Sequence, residues 1–312
     1  MKLIDLHCDT AMKLLRDPEV SLARNDFSID LEKLDKVHSL AQVFALYVDK
    51  EKYSSCLQTG RDMLARLKGE LEKNADQIAW AGNGAAIRAN EKSGKKTALI
   101  AIEEGGVLEG TMESLHEFFE GGVRFITLTW NYPNEIGFPH GEEHGHKGLT
   151  PFGIELLGEM DRLGVIADVS HLSEGGFWDV VKHCKGAFMA THSNCRALKG
   201  HSRNLHDEQI KALADKGGVM GISVVKNFLM EGDDDGRLDA MVAHIKHAHK
   251  IGGLDVLAMG TDFDGTATNH ELQYIDDLNK LEPKLREAGY TEDQLEKIYW
   301  RNALRVIDEV LR

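Results

Sequence analysis

The feature that most constrains this chain is an alternation. Eight short apolar runs rich in β-forming residues recur at 2–9, 40–48, 97–103, 123–130, 164–171, 187–193, 218–225 and 256–262. Between them lie stretches with helical spacing at 54–73, 112–120, 151–162, 173–182, 206–215 and 239–250, and the long gap after the second run holds a further short helix at 85–91. Start and stop signals agree with this division. Thr150-Pro151 gives an N-cap followed by proline at the first helical position, and Ser173 precedes an acidic first turn. Gly121-Gly122, Gly164, Gly186, Gly217-Gly218 and Gly252-Gly253 stand where helices stop before the next strand. Strands that alternate with helices make a parallel sheet, and eight such units predict a closed α/β barrel, the TIM (β/α)8 architecture. An open doubly wound sheet is the competing arrangement. Residues 290–312 read as a last amphipathic helix that joins the outer ring.

No low-complexity tract, repeat or Pro/Gly/Ser-rich linker divides the 312 residues, so 1–312 is expected to form one catalytic barrel domain. With 42% apolar and 28% charged residues the chain can bury a core. A net charge of -14 argues against nucleic acid and against an anionic membrane as partners. No apolar leader or spanning run is present, and Cys8, Cys56, Cys184 and Cys195 are scattered without pairing, which predicts reduced thiols and a cytoplasmic location. A homodimer is compatible with the sequence but not specified by it.

The chemistry-bearing residues sit at the ends of the runs. The first ends His7-Cys8-Asp9, the third Glu103-Glu104, the fifth at His171, the sixth at His192 and the eighth at Asp262. Barrel closure gathers C-terminal strand ends on one rim, so these residues are predicted to share one cup. His7 and Asp9, two apart on a strand, should share a face, with Cys8 on the other. Such a set of buried acids needs a cation to neutralise it. Imidazole and carboxylate donors without thiolate suit zinc, and six donors exceed what one tetrahedral ion takes. Two divalent cations, bridged by a carboxylate such as Glu103 and activating a hydroxide, are therefore expected.

Other motifs read as scaffold. His140-Gly141-Glu142-Glu143-His144 has the metalloprotease spacing H-x-x-E-H, but Pro139, Gly141 and Gly145 deny it the helix it needs, so a polar loop is expected. Gly82-Asn83-Gly84 has Ile87 where a dinucleotide loop needs its third glycine, and reads as a turn. His244, His247 and His249 read as a solvated or partly buried helix face, and Asp233-Asp234-Asp235 as an exposed turn without calcium-loop spacing.

The segments 5–10 (DLHCDT), 102–106 (IEEGG), 149–153 (LTPFG) and 168–171 (DVSH) resemble the renal (membrane) dipeptidase family of the amidohydrolase group. So do 191–193 (THS), 202–204 (SRN), 260–265 (GTDFDG) and 302–306 (NALRV), and together they span nearly the whole chain. The resemblance implies a zinc-dependent dipeptidase with His7 and Asp9 on one ion, His171 and His192 on a second, and Glu103 bridging. It further implies that Asp262 is the acid/base and that Arg203 binds the substrate's terminal carboxylate, a task suited to a planar guanidinium.

Two departures stand out. Where mammalian members carry a histidine that polarises the scissile carbonyl, this chain has Trp130 after Thr127-Leu128-Thr129, leaving Trp130 as a pocket wall and Asn131 as a substitute donor to substrate. Glu104 stands where many members have glycine, so the bridge is Glu103 or Glu104, with Glu103 favoured because it directly follows the strand. The Trp130 departure keeps an N-acyl amino acid deacylase, a lactonase or a phosphoesterase as alternatives, and a non-catalytic barrel ranks last because no expected ligand is missing.

Overall fold

The computed structural model describes residues 1–232 and 236–312, so Asp233–Asp235 lie outside the described residues. Nine strands appear: β1 (Leu3–Cys8), β2 (Ser39–Tyr47), β3 (Ile78–Trp80), β4 (Lys96–Glu103), β5 (Val123–Thr127), β6 (Ile166–Asp168), β7 (Met189–Ser193), β8 (Val219–Ile222) and β9 (Leu257–Met259). The ladders run β2-β1-β9-β8-β7-β6-β5-β4 and close through a direct β2–β4 pairing. Every ladder is parallel, so eight strands form the expected closed barrel. The β2–β4 seam is long, pairing Ala41 with Thr97 through to Tyr47 with Glu103.

The ninth strand was not legible in the sequence. β3 pairs with β4 alone, outside the closed ring, and three residues are too few to show a period. Its Trp80 is half-exposed and donates Nε1–H to the Gly122 carbonyl at 2.9 Å. The predicted runs also extended past the paired residues: His171 and Asp262 each lie three positions beyond the last residue of β6 and β9. Short helices at Thr10–Arg16 and Leu31–Lys36 fill the β1–β2 connection, where no helix was expected.

The caps behave as their chemistry requires. Thr150 accepts from the Gly153 amide ahead of Pro151, Ser173 accepts from Gly176, and Gly164 closes the helix Pro151–Leu163 with φ 75°. Asn83 caps the helix Gly84–Lys92, so Gly82-Asn83-Gly84 is a turn. His244 departs from expectation: it is fully buried, accepting from the Cys195 amide at Nδ1 and meeting the Leu229 carbonyl at Nε2, while His247 pairs with Asp207.

Two apolar cores organise the layers. The larger lies between strands and helices, and Cys8 belongs to it, facing away from the barrel axis as predicted. The smaller fills the barrel itself with Ile4, Val43, Leu99, Phe125, Ile166 and Met189, and continues into Ala303, Leu304, Val306 and Ile307 of the last helix, Asn302–Val310. That helix does not join the outer ring. It plugs the N-terminal end of the barrel, where Asn302 donates to the Leu254 and Leu257 carbonyls and Arg305 to those of Gly217 and Asp255. The 290–312 segment is also not one regular helix, because residues 297–301 form a widened i→i+5 turn. With the bottom sealed, the open end is the C-terminal rim. No helix among the described residues is long and apolar enough to cross a membrane.

Candidate metal centre

The rim is built by local irregularity. Between Asp5 and Cys8, β1 passes three steps while β2 passes two from Gln42 to Phe44, so β1 carries one extra residue. Ile4 and Leu6 both belong to the barrel interior, and strict alternation from them would turn His7 away. The bulge re-aims His7 into the cup. His171, Asp262, Asp264 and Glu104 adopt left-handed backbone, with φ 67°, 66°, 70° and 80°. Such residues cost about 1–3 kcal/mol each and persist where the surroundings over-determine them. These four, out of six non-glycine positive-φ positions among the described residues, stand at or next to the rim.

Glu103 lies at the centre. Its Oε2 is 3.1 Å from His7 Nε2, and its Oε1 is 3.2 Å from His171 Nε2 and 3.6 Å from His192 Nε2. Asp9 Oδ2 lies 3.7 Å from His7 Nε2, and Asp9 Oδ1 is buried with no hydrogen-bond partner. Donor atoms of His7, Glu103 and His192 fall within 4.8 Å of one another, as do those of His7, Asp9 and Asp262. Both groups have the composition and reach of a divalent-cation site.

Tautomers give a sharper test of fit. Thr191 Oγ1 has one proton and donates it to the Asp168 carboxylate at 2.6 Å, so at 2.9 Å from His192 Nδ1 it accepts. His192 Nδ1 is therefore protonated and Nε2 is a lone pair. Asn131 Oδ1, 3.0 Å from His171 Nδ1, imposes the same tautomer on His171. The two Nε2 lone pairs then face each other at 3.0 Å beside Oε1 of Glu103. Lone pairs so placed beside a carboxyl suit a cation.

Charge in the cup follows burial. Burial pushes the Glu103 carboxyl up to about 7 against the pull of His7, and burial with repulsion from Asp9 and Glu103 holds Asp262 well above the carboxylate range. Burial, with Arg203 and neighbouring imidazoles, keeps His171 and His192 neutral. At His7 burial is outweighed by Glu103 and Asp9, which favour its protonated form. Asp168 organises the back of the cup, accepting from Thr127 Oγ1, Thr191 Oγ1 and the Ser170 and Thr191 amides.

The remaining predicted residues fall around this cluster. Arg203 is 3% exposed, donates to the His192 carbonyl at 3.1 Å and stacks on Phe228 at 5.1 Å; its Nε has no partner, and burial lowers it to about 10. No carboxylate among the described residues forms a salt bridge with it. A cavity of about 210 Å3 opens over the cup, lined by Asp9, Glu103, Asp262 and His171 below and by Tyr47, Trp130, Asn131, Val225 and Phe228 around. Trp130 packs edge-on to Tyr47 with ring centroids 4.9 Å apart. Glu104 is turned out of the cup, accepting from Gly106 N, Trp130 N and Asn134 Nδ2 at 2.8, 2.9 and 2.6 Å, so of the two glutamates only Glu103 reaches the histidines.

Asn131 lines the cavity, and its side-chain oxygen, which is an acceptor, is taken by His171 and by His140 Nε2 at 3.1 Å, while the donor end of the amide is its NH2 group. His140 itself was set aside with the H-x-x-E-H motif. The segment is the loop expected, yet it brings His140 beside the site, with Nδ1 2.7 Å from Ser202 Oγ. Asp168, Thr191 and Ser202 were also missed as supports, although each lies within three positions of a quoted site residue.

Comparison with known proteins places these features. The profile of the membrane dipeptidase family, peptidase family M19, matches residues 1–312. An uncharacterized protein from the region 5' of pqqA in Klebsiella pneumoniae is 37% identical over 257 residues, 79% of this chain and 94% of that protein. An uncharacterized dipeptidase of Schizosaccharomyces pombe is 30% identical over 227 residues, 71% of this chain and 55% of that protein, so the match spans about half of the yeast protein. Among solved structures, a metallopeptidase from Rhodobacter sphaeroides liganded with a phosphinate mimic of the dipeptide L-Ala-D-Ala superposes with TM-score 0.93 at 24% identity, covering 100% of this chain and 99% of that one. That likeness establishes the fold. Matched by the family profile from its first residue to its last, the chain belongs to the membrane dipeptidase family.

Proposed function

We propose that this metal-dependent dipeptidase works through two divalent cations, zinc in the cell, with residues 1–312 as one catalytic domain. His7 and Asp9 would hold one ion and His171 and His192 the other, with Glu103, whose two oxygens reach His7 and His171, shared between them. The observation that carries this reading is the pair of facing lone pairs on His171 and His192 beside Oε1 of Glu103, whose Oε2 meets His7. When bound, such ions supply Lewis-acid polarisation of the scissile carbonyl and acidify water to a nucleophile at neutral pH.

The chain's own residues supply positioning and proton handling. Asp262, whose carboxyl burial raises, suits a group that accepts the proton of the attacking water and returns it to the leaving amine. Arg203, a buried cation that forms no salt bridge among the described residues, suits the free C-terminal carboxylate of a dipeptide, which a bidentate guanidinium recognises. Tyr47, Trp130, Val225 and Phe228 wall a cavity of about 210 Å3, smaller than the ~300–1,000 Å3 typical of drug-sized ligands. That size favours a short substrate. The phosphinate dipeptide mimic bound by the Rhodobacter sphaeroides protein supports the same class. All the cysteines are unpaired, which supports a reducing compartment, the cytoplasm.

Metal analysis of the purified protein, followed by chelation, reconstitution and a substrate panel, tests the reading. Two zinc equivalents and turnover of dipeptides above N-acyl amino acids, lactones and phosphotriesters are expected. One equivalent, or preferred turnover of an acyl amino acid or lactone, overturns it.

A further inference from the structure

The loop between β5 and the helix Pro151–Leu163 carries a half-buried imidazole that the reaction above does not use. His140 faces Asn131 on one side and Ser202 on the other, with His140 Nε2 3.1 Å from Asn131 Oδ1 and His140 Nδ1 2.7 Å from Ser202 Oγ. Asn131 Oδ1 also lies 3.0 Å from His171 Nδ1. An amide oxygen has no proton to give, so both imidazole nitrogens that meet it are donors. Asn131 is thus held between two N–H groups, and its oxygen cannot turn from His171 without also leaving His140.

The main chain repeats the clamp. The His140 amide donates to the His171 carbonyl at 2.7 Å, Thr129 Oγ1 donates to the same oxygen at 3.3 Å, and Pro139 bridges Leu172 in antiparallel fashion. His171 needs such closure because its φ of 67° lies in the left-handed region. One loop therefore fixes the backbone, ring orientation and tautomer of a single imidazole.

From this geometry we propose that His140 is a positioning residue for His171, acting through Asn131, and that this pair sets the affinity of the cation held by His171 and His192. The proposal rests on the two-cation reading of the site. His192 has its own support in Thr191 and Asp168, and His7 is placed by the β1 bulge, so loss of His140 falls on one of the two ions. The relay continues to Ser202, the residue before Arg203, and so joins the segment proposed to bind the substrate carboxylate to a proposed ligand.

A cavity of about 560 Å3 lies on the far side of His140 and Ser202, and Asn131 is itself exposed, so truncation would put water in place of the imidazole N–H at the Asn131 oxygen. Phenylalanine keeps the ring and removes the donor, and is the better probe. Zinc is titrated into the metal-stripped wild type and variants in competition with a chromogenic chelator, and each affinity is read separately. For His140→Phe one of the two affinities should fall about 10- to 100-fold, the range for a lost outer-sphere partner, while the other stays unchanged. Asn131→Ala should reproduce the loss. Asn131→Asp, whose carboxylate accepts from both N–H groups, should retain both ions, and His140→Gln, with an amide donor near the Nε2 position, should recover most of the affinity.

A folded His140→Phe that binds both ions as the wild type does, or weakens both equally, overturns the proposal. If His140→Phe does not fold, the Asn131→Ala and Asn131→Asp pair decides it on the same criteria. A wild type that takes up no zinc, or only one equivalent, sinks the two-cation reading instead, so the two failures are distinguishable.

Discussion

His171 Nε2 and His192 Nε2 stand 3.0 Å apart, each aimed at the other, each with its Nδ1–H already committed to an oxygen. Two lone pairs at that distance repel, and the Glu103 carboxyl stands beside them. Cation binding removes this repulsion and so stabilises the fold. Chelation should lower the melting temperature and zinc should restore it, by about 2.7 kcal/mol at a free concentration one hundred times Kd. Differential scanning fluorimetry across a zinc series checks this; a melting temperature indifferent to chelator argues against a cation at this position.

Asp262 is half-buried and lines the cavity, and its backbone amide donates to the His7 carbonyl at 3.1 Å, so its place does not depend on its charge. Asp262→Asn should lower kcat by about 10²–10⁴-fold, the range for a lost general acid–base group, with the melting temperature kept or raised. Steady-state kinetics beside a thermal melt separates chemistry from folding. Near-normal kcat removes Asp262 from the proton path.

Arg203 forms no salt bridge among the described residues, and its Nε has no hydrogen-bond partner. Arg203→Met, which keeps the packing under Phe228, should raise KM for dipeptides by about 10- to 150-fold, the equivalent of the ~1.5–3 kcal/mol of a charge-assisted hydrogen bond. Dipeptide amides, which lack the carboxylate, should be nearly unaffected. Equal losses for acids and amides would mean that the guanidinium serves the fold.

Gly265 is required by close approach. A Cβ there would stand 2.0 Å from Asp9 Oδ2 and 2.7 Å from Asp262 Oδ1. Gly265→Ala should displace both carboxylates, weakening one cation and lowering kcat together, with little change in the unfolding midpoint of the metal-free protein. Wild-type kinetics in this variant would show that the two carboxylates tolerate displacement.

Glu70 offers a stability test far from the cup. Burial alone would raise its carboxyl, but the Leu22 amide at 2.7 Å, Arg66 at 2.6 Å and Lys73 at 2.9 Å bring it down to about 2. Because the folded state releases this proton more readily than the unfolded chain, the contribution is present above the ordinary carboxylate value and lost as pH falls through about 2. Glu70→Gln should cost about 1–3 kcal/mol at pH 7, with the difference from wild type narrowing below about pH 4.5. Urea melts at pH 7 and pH 3 measure it; a gap that widens in acid reverses the sign and refutes the account.

Much of the architecture could be read from the chain because its signals are local. Alternating apolar runs, the Thr150-Pro151 start and the Gly164 stop each act within a few residues, where periodicity and capping are decided. The types of group on the rim were legible for the same reason, as they stand at or just past strand ends. β3 was not, because three residues carry no period, and the last helix was misplaced because its apolar face fits an outer ring and a barrel floor equally well.

Sequence alone determined which chemical groups the strand ends carry and that the strands are parallel. The tertiary structure decided what meets what. His7 and Glu103 are 96 positions apart and touch only because β2 pairs with β4 to close the ring. It also decided that Glu103 faces the cup while Glu104 is held by Gly106, Trp130 and Asn134, and that a bulge turns His7 inward. The physical reason is that propensity and periodicity are properties of neighbouring residues. The tautomer of His171, set by Asn131 and His140, is a property of groups that only the closed barrel brings within hydrogen-bond reach.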